Sequence, residues 1–221
     1  MKVGTDGVLL GAWTQSSPPP KNILDIGTGT GLIALMMAQK FTNAKIDALE
    51  IDHAASKQAS INFKSSPWKN RIHSIHQSLQ KFCIKTSKKY DLIISNPPYF
   101  STDIKSKNNE RNIARFTDSL PFSELLDGVN MLLTKEGSFT TIIPFNTEEE
   151  FIVLASKQNI YAQHINYVRG NNNAPIKRSL INFSRKKLNS ALKKNELTIE
   201  NSRHNYTNAY IKLTKAFYIN M

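Results

Sequence analysis

The sequence predicts an α/β fold, a mostly parallel sheet covered on both faces by helices and closed by an antiparallel hairpin. Three observations carry this: short apolar runs alternate with helix-forming segments, a glycine cluster joins the first run to the first such segment, and two late apolar runs flank an asparagine-rich turn.

Asn22-Ile23-Leu24-Asp25-Ile26 is a strand that runs into glycines, and Leu32 to Lys40 continues as a helix without a breaker. Ala44 to Glu50 reads as a second strand, and His53 to Lys64 as a helix that stops ahead of Pro67. The alternation in Arg71 to Ile75 marks a third strand, and Tyr90 to Ser95, centred on Leu92-Ile93-Ile94, a buried fourth. Ser101 to Thr117 is polar and basic and reads as a loop. Leu120 to Leu133 resumes helical spacing, Gly137 to Pro144 is strand-like, and Glu148 to Lys157 is a helix with acids in its first turn. Tyr161 to Val168 and Ser179 to Phe183 form the hairpin around Gly170 to Asn173, which brings the sheet to seven strands. A basic stretch, Arg185 to Lys194, and a short helix from Asn208 to Lys215 follow.

A chain of 221 residues, 40% hydrophobic, fits one domain with one substantial core. Its formal charge of +12 implies attraction to a polyanion, either nucleic acid or an anionic membrane surface, unless the excess serves only solubility. The lone Cys83 cannot form an internal disulfide and fits a reducing compartment, so a cytoplasmic location is expected. Neither a signal-peptide core nor a run of membrane-spanning length is present, and no membrane association is expected.

In the turn after the first strand, Gly27, Gly29 and Gly31 allow positive φ and close approach of a nucleoside-containing cofactor. Glu50 ends the second strand about twenty residues on, where an acid accepts hydrogen bonds from ribose hydroxyls. A dinucleotide fingerprint has the spacing Gly-x-Gly-x-x-Gly. Here it is Gly-x-Gly-x-Gly, preceded by Asp25, whose carboxylate repels a pyrophosphate and suits the ammonium group of S-adenosylmethionine. Asp25 also suits a turn-capping role.

Asn96-Pro97-Pro98-Tyr99 follows the fourth strand, at the end of the sheet where open α/β folds present their sites. The prolines fix the backbone so that the Asn96 side-chain oxygen and the Pro97 carbonyl can both accept from one NH2 group. That leaves the nitrogen lone pair aimed at a sulfonium methyl, and alignment alone then supplies much of the catalysis. Tyr99, with Phe100 beside it, can stack on the target base, which must be unpaired or flipped. His73 and His76 lack an acid or cysteine to complete a metal set, and no metal is expected. Cys83 reads as structural rather than nucleophilic. Lys105, Lys107, Arg111 and Arg115, and separately Lys186, Lys187, Lys193 and Lys194, suit either RNA phosphates or a solvated surface.

Together the opening Lys2 to Trp13, the loop Leu24 to Gly31, the stretch Asp91 to Phe100 and the closing Leu213 to Tyr218 resemble the bacterial tRNA1(Val) (adenine-37-N6)-methyltransferases. The resemblance implies a Rossmann-like class I methyltransferase fold. It implies that S-adenosylmethionine lies against Asp25, Gly27, Gly29, Gly31 and Glu50, with Thr5 and Asp6 near its methionine end. Asn96, Pro97, Pro98 and Tyr99 hold the target adenine in tRNA, with tRNA1(Val) as the implied partner. After the third strand, where related enzymes often carry an acid against the cofactor's adenine, this chain has Gln77, whose amide can also hydrogen-bond the adenine amine. Family members usually carry a segment ahead of Lys-Val-Gly-Thr-Asp; the chain starts within that motif, so a lid over the cofactor and some RNA contacts are expected to be missing. The alternatives at this level are a methyltransferase acting on a protein glutamine amide, a nicotinamide oxidoreductase, and a non-catalytic RNA-binding protein.

Overall fold

The computed structural model describes residues 4–98 and 120–219. In chain order the elements are α1 (Thr5–Trp13), β1 (Asn22–Ile26), α2 (Leu32–Lys40), β2 (Lys45–Glu50), α3 (His53–Lys64), β3 (Ile72–His76), α4 (Leu79–Lys85) and β4 (Tyr90–Ser95). They continue with α5 (Phe122–Leu132), β5 (Leu133–Pro144), α6 (Glu148–Lys157), β6 (Tyr161–Asn171), β7 (Ile176–Ser184), β8 (Lys193–Ser202), β9 (Asn205–Tyr206) and α7 (Asn208–Thr214). All strands join one sheet in the order β3-β2-β1-β4-β5-β7-β6-β8-β9. Strands β3 to β5 pair in parallel, β7 runs antiparallel between β5 and β6, and β8 pairs in parallel with β6.

Alternation along the strands divides the apolar residues between two cores. Ile23, Ile46 and Leu92 face α1, α2, α3 and α7, while Leu24, Leu49 and Ile93 face α4, α5 and α6. The α/β class, the helices on both faces and the closing hairpin are as expected from the sequence. The strand count is not: the described residues hold nine strands rather than seven, because β8 and β9 extend the sheet beyond β6. In β8 only Leu197 is buried, so no apolar alternation marks this strand, and β9 is 2 residues long.

Two helices were also unassigned from sequence. α1 is apolar on all sides, with Gly7 to Ala12 buried, so it has no polar face to set a period. Its glycines allow close packing: a Cβ on Gly11 would lie 2.6 Å from the Met36 sulfur, and one on Gly7 3.3 Å from Leu32. The Lys40 ammonium caps the far end of α1, donating to the Ala12 carbonyl at 2.6 Å. α4 did carry a signal, Ser78 as N-cap ahead of buried Leu79, Phe82 and Cys83.

Gly31 combines two requirements. Its φ is +92°, and a Cβ there would sit 2.4 Å from the Phe63 ring. Gly31→Ala is therefore expected to destabilise the fold by about 2–4 kcal/mol, from left-handed strain plus overpacking, read as a lowered midpoint in urea with an unchanged slope.

Candidate active site

The strand order reverses between β1 and β4, and the helices that come next among the described elements, α2 and α5, lie on opposite faces of the sheet, the arrangement in which an open α/β sheet presents its site. The ends of these strands are tied together: the Ser95 hydroxyl donates to the Ile26 carbonyl at 2.9 Å. Register places Ile26 beside both Leu49 and Ser95, and Glu50 beside His76, so the predicted residues come out at one edge of the sheet.

Gly27, Gly29 and Gly31 all have positive φ, at 71°, 58° and 92°. The turn they make is anchored to β2, because the N–H groups of Gly27 and Thr28 both donate to the Leu49 carbonyl, at 2.9 and 3.0 Å. Glu50 holds it from the side, accepting from Gly29 N–H at 2.8 Å and from Asp52 N–H at 2.9 Å. A Cβ on Gly27 would meet nothing within 4 Å, so the turn presents open space there, whereas at Gly31 the same position is filled by Phe63.

Asp25 is fully buried at the end of β1. Its Oδ2 accepts from the Thr28 hydroxyl at 2.6 Å, while its Oδ1 has no hydrogen-bond partner. Burial pushes the carboxyl pKa up to about 7; the Thr28 hydroxyl and the Ala34 N–H oppose the rise, and nearby Glu50 adds to it. A buried carboxylate with one unmatched oxygen calls for a cationic hydrogen-bond donor. One loop away, the Oδ1 of Asn96 is likewise buried and without a partner. Pro97 is buried and Pro98 exposed, while Tyr99 lies outside the described residues.

The Gln77 N–H donates to the Glu50 carbonyl at 3.0 Å, which puts Gln77 at the same edge. Thr5 and Asp6 begin α1, whose Gly7 packs on Leu32 just after the glycine turn. Asp6 is engaged by Arg178 of β7 at 2.9 Å, a partner that the sequence did not suggest. Thr28 and Ser95 were also missed; an Asp-x-x-Thr spacing around the first glycine was the available signal for Thr28.

Other sequence candidates fall elsewhere. Residues three apart on a strand point to opposite faces, so His73 and His76 cannot converge; the His76 Nε2 is 3.0 Å from the Ile51 carbonyl. Burial pushes the Cys83 thiol pKa up, as suits a structural residue. Lys105, Lys107, Arg111 and Arg115, with Phe100, lie outside the described residues. Lys186, Lys187, Lys193 and Lys194 lie at the opposite edge of the sheet, because β7 ends and β8 begins there.

The unmatched Asp25 oxygen, the open face of the glycine turn and the carboxylate of Glu50 fit the ammonium and ribose of S-adenosylmethionine. Fold and site together define a class I methyltransferase that uses this cofactor. The methyltransferase small domain family matches residues 5–120. A tRNA1(Val) (adenine(37)-N6)-methyltransferase of Flavobacterium psychrophilum is 48% identical over 221 residues, covering 100% of this chain and 94% of that one. Its counterpart from Bacteroides fragilis is 47% identical over 222 residues, covering 100% and 92%. This chain belongs to the tRNA1(Val) (adenine(37)-N6)-methyltransferase family. Among solved structures, a predicted O-methyltransferase from Agrobacterium tumefaciens shares the fold with a TM-score of 0.73 at 15% identity, covering 96% of each chain.

Proposed function

We propose that this chain transfers the methyl group of S-adenosylmethionine to the exocyclic N6 of an adenine in tRNA, adenine 37 of tRNA1(Val). The observation that carries the reading is the buried, unmatched Oδ1 of Asn96 beside the cofactor turn. The names of the relatives support an adenine in tRNA over a protein glutamine amide or a non-catalytic role. No helix among the described residues is long and apolar enough to cross a membrane. The chain acts as a single methyltransferase domain, since every described strand belongs to one sheet.

When bound, the cofactor supplies a methyl group that already carries a good leaving group. The protein's task is then binding and alignment. Asp25 and Glu50 hold the ammonium and ribose, with Thr5, Asp6 and Gln77 around them. The Asn96 Oδ1 and the Pro97 carbonyl accept the two N–H groups of the adenine amine, and Pro97 and Pro98 keep this pair of acceptors rigid. Tyr99 stacks on the flipped base. No side chain need act as a general base.

Nucleoside mass spectrometry of tRNA from cells with and without the gene tests the assignment. N6-methyladenosine at position 37 of tRNA1(Val) is expected to vanish with the gene and to return with purified protein and labelled cofactor in vitro. Transfer to a protein glutamine, with tRNA left unmodified, would overturn it.

A further inference from the structure

Among the described residues, exposed lysines line the edge of the sheet opposite the active site. Lys45 opens β2, Lys21 precedes β1, Lys135 lies near the start of β5, Lys187 follows β7, and Lys193 opens β8. All five are exposed, and among the described residues none forms an ion pair. They are not explained as complements to helix dipoles, since none lies in the last turn of a helix.

The acids of the same edge are engaged. Asp47 holds Lys88 and the Tyr90 hydroxyl, Asp91 accepts from the N–H groups of Lys21 and Asn22, and Glu136 pairs with Lys186. Among the described residues the active-site edge carries acids, Asp25, Glu50 and Asp52 at the turn and Glu148, Glu149 and Glu150 opening α6, alongside Arg169, Lys177 and Arg178 where β6 ends and β7 begins.

From β2 to β8 there are six interstrand steps in the sheet order, so the stripe runs about 29 Å. A nucleic acid duplex presents a phosphate about every 3.4 Å of axis on each strand, so a stripe of this length can follow a backbone over several phosphates. A groove of about 410 Å³ opens beside Lys21, lined by Ser16, Thr134, Asn182 and Ser184, whose hydroxyl and amide groups suit phosphate and ribose oxygens, and by the engaged acids Asp91 and Glu136.

We propose that this lysine stripe is a second RNA-binding surface, which grips ribose-phosphate backbone away from the methylated nucleotide. The proposal rests on the tRNA reading above. β4 spans about 20 Å, so the stripe lies about that far from the methylated nucleotide, and the backbone held there belongs to the same tRNA, beyond its anticodon stem-loop.

The test is a Lys135→Glu/Lys187→Glu/Lys193→Glu triple variant, with the matching Lys→Gln triple as a milder companion. Thermal melting and S-adenosylhomocysteine binding, both expected to be unchanged, confirm folding. Full-length tRNA and the isolated anticodon stem-loop are then titrated against each protein across a salt series.

If the stripe holds the same tRNA, the Glu triple binds full-length tRNA at least tenfold more weakly at 0.1 M salt. Its salt slope falls by about 2–3, and stem-loop affinity and methylation stay unchanged. Two RNA molecules bound to the wild type at saturation and one to the triple, with the methylation KM constant, would place a second RNA there and overturn the assignment to the same tRNA. The Gln triple lies between the wild type and the Glu triple.

Unchanged affinity and slope for every RNA would overturn the proposal. So would loss of binding to anionic phosphatidylglycerol vesicles alone, which would make the stripe a membrane contact. Failure of the wild type to methylate any tRNA, with the charge effect on RNA binding intact, would overturn the functional reading and leave the stripe standing.

Discussion

Asn96→Ala is expected to lower kcat/KM for methyl transfer to tRNA by at least about 100-fold while leaving cofactor affinity within a factor of two. The Oδ1 removed is the acceptor proposed to orient the reacting amine, and misplacing a reacting atom by about 1 Å can itself cost about 100-fold. Stability should not follow activity. The Oδ1 of Asn96 is buried with no partner in the ligand-free protein, so alanine forfeits no hydrogen bond of that oxygen there. A large loss of turnover with an unchanged urea midpoint therefore separates a catalytic role from a structural one. Asn96→Asp keeps an acceptor oxygen and should retain more activity than the alanine variant. Initial rates with labelled cofactor, together with calorimetry of S-adenosylhomocysteine binding, measure both quantities. Turnover by Asn96→Ala equal to that of the wild type would remove this residue from the reaction.

The route to this site was legible because two strands announce themselves. Asp25-Ile26-Gly27 and Ser95-Asn96-Pro97 each end an apolar run with residues that only a turn explains, and sequence order then places both at the carboxyl edge of a parallel sheet. What escaped were elements whose pattern is weakened by their own role. α1 is buried along most of its length and has no polar face, and β8, next to the last strand of the sheet, buries a single residue. The lysines of Arg185 to Lys194 could be read as basic but not placed, since strand direction decides which edge they occupy, and direction emerges only from pairing. Asp25 was recognised as an acid suited to an ammonium group. That one of its oxygens is left unmatched is a property of packing around it, which no spacing in the sequence encodes.

That unmatched oxygen has a thermodynamic consequence. Asp25→Asn is expected to stabilise the ligand-free protein at neutral to alkaline pH and to remove most of its cofactor affinity. The folded-state pKa of Asp25, about 7, stands above the ordinary value of 3.8, so between these limits the native state binds a proton that the unfolded state has released. Stability from this group is therefore intact below about pH 4, declines as pH rises, and is lost above about pH 7. The full cost is of order 4 kcal/mol from a shift of about three units. Asparagine keeps an oxygen for the Thr28 hydroxyl and carries no charge to desolvate, so its stability should lack this decline. Urea denaturation at pH 5 and pH 8 gives the comparison: the variant should gain on the wild type at pH 8 by clearly more than at pH 5. Cofactor binding runs the other way. A bound ammonium group favours the ionised carboxylate, so wild-type affinity should rise up to tenfold per pH unit toward pH 7, with a proton released on binding below that pH. Asp25→Asn should abolish this pH dependence along with the affinity. A variant that is less stable than the wild type at pH 8, or that binds S-adenosylhomocysteine as tightly, would mean that the Asp25 carboxylate is held by the fold for a purpose other than the cofactor's amine.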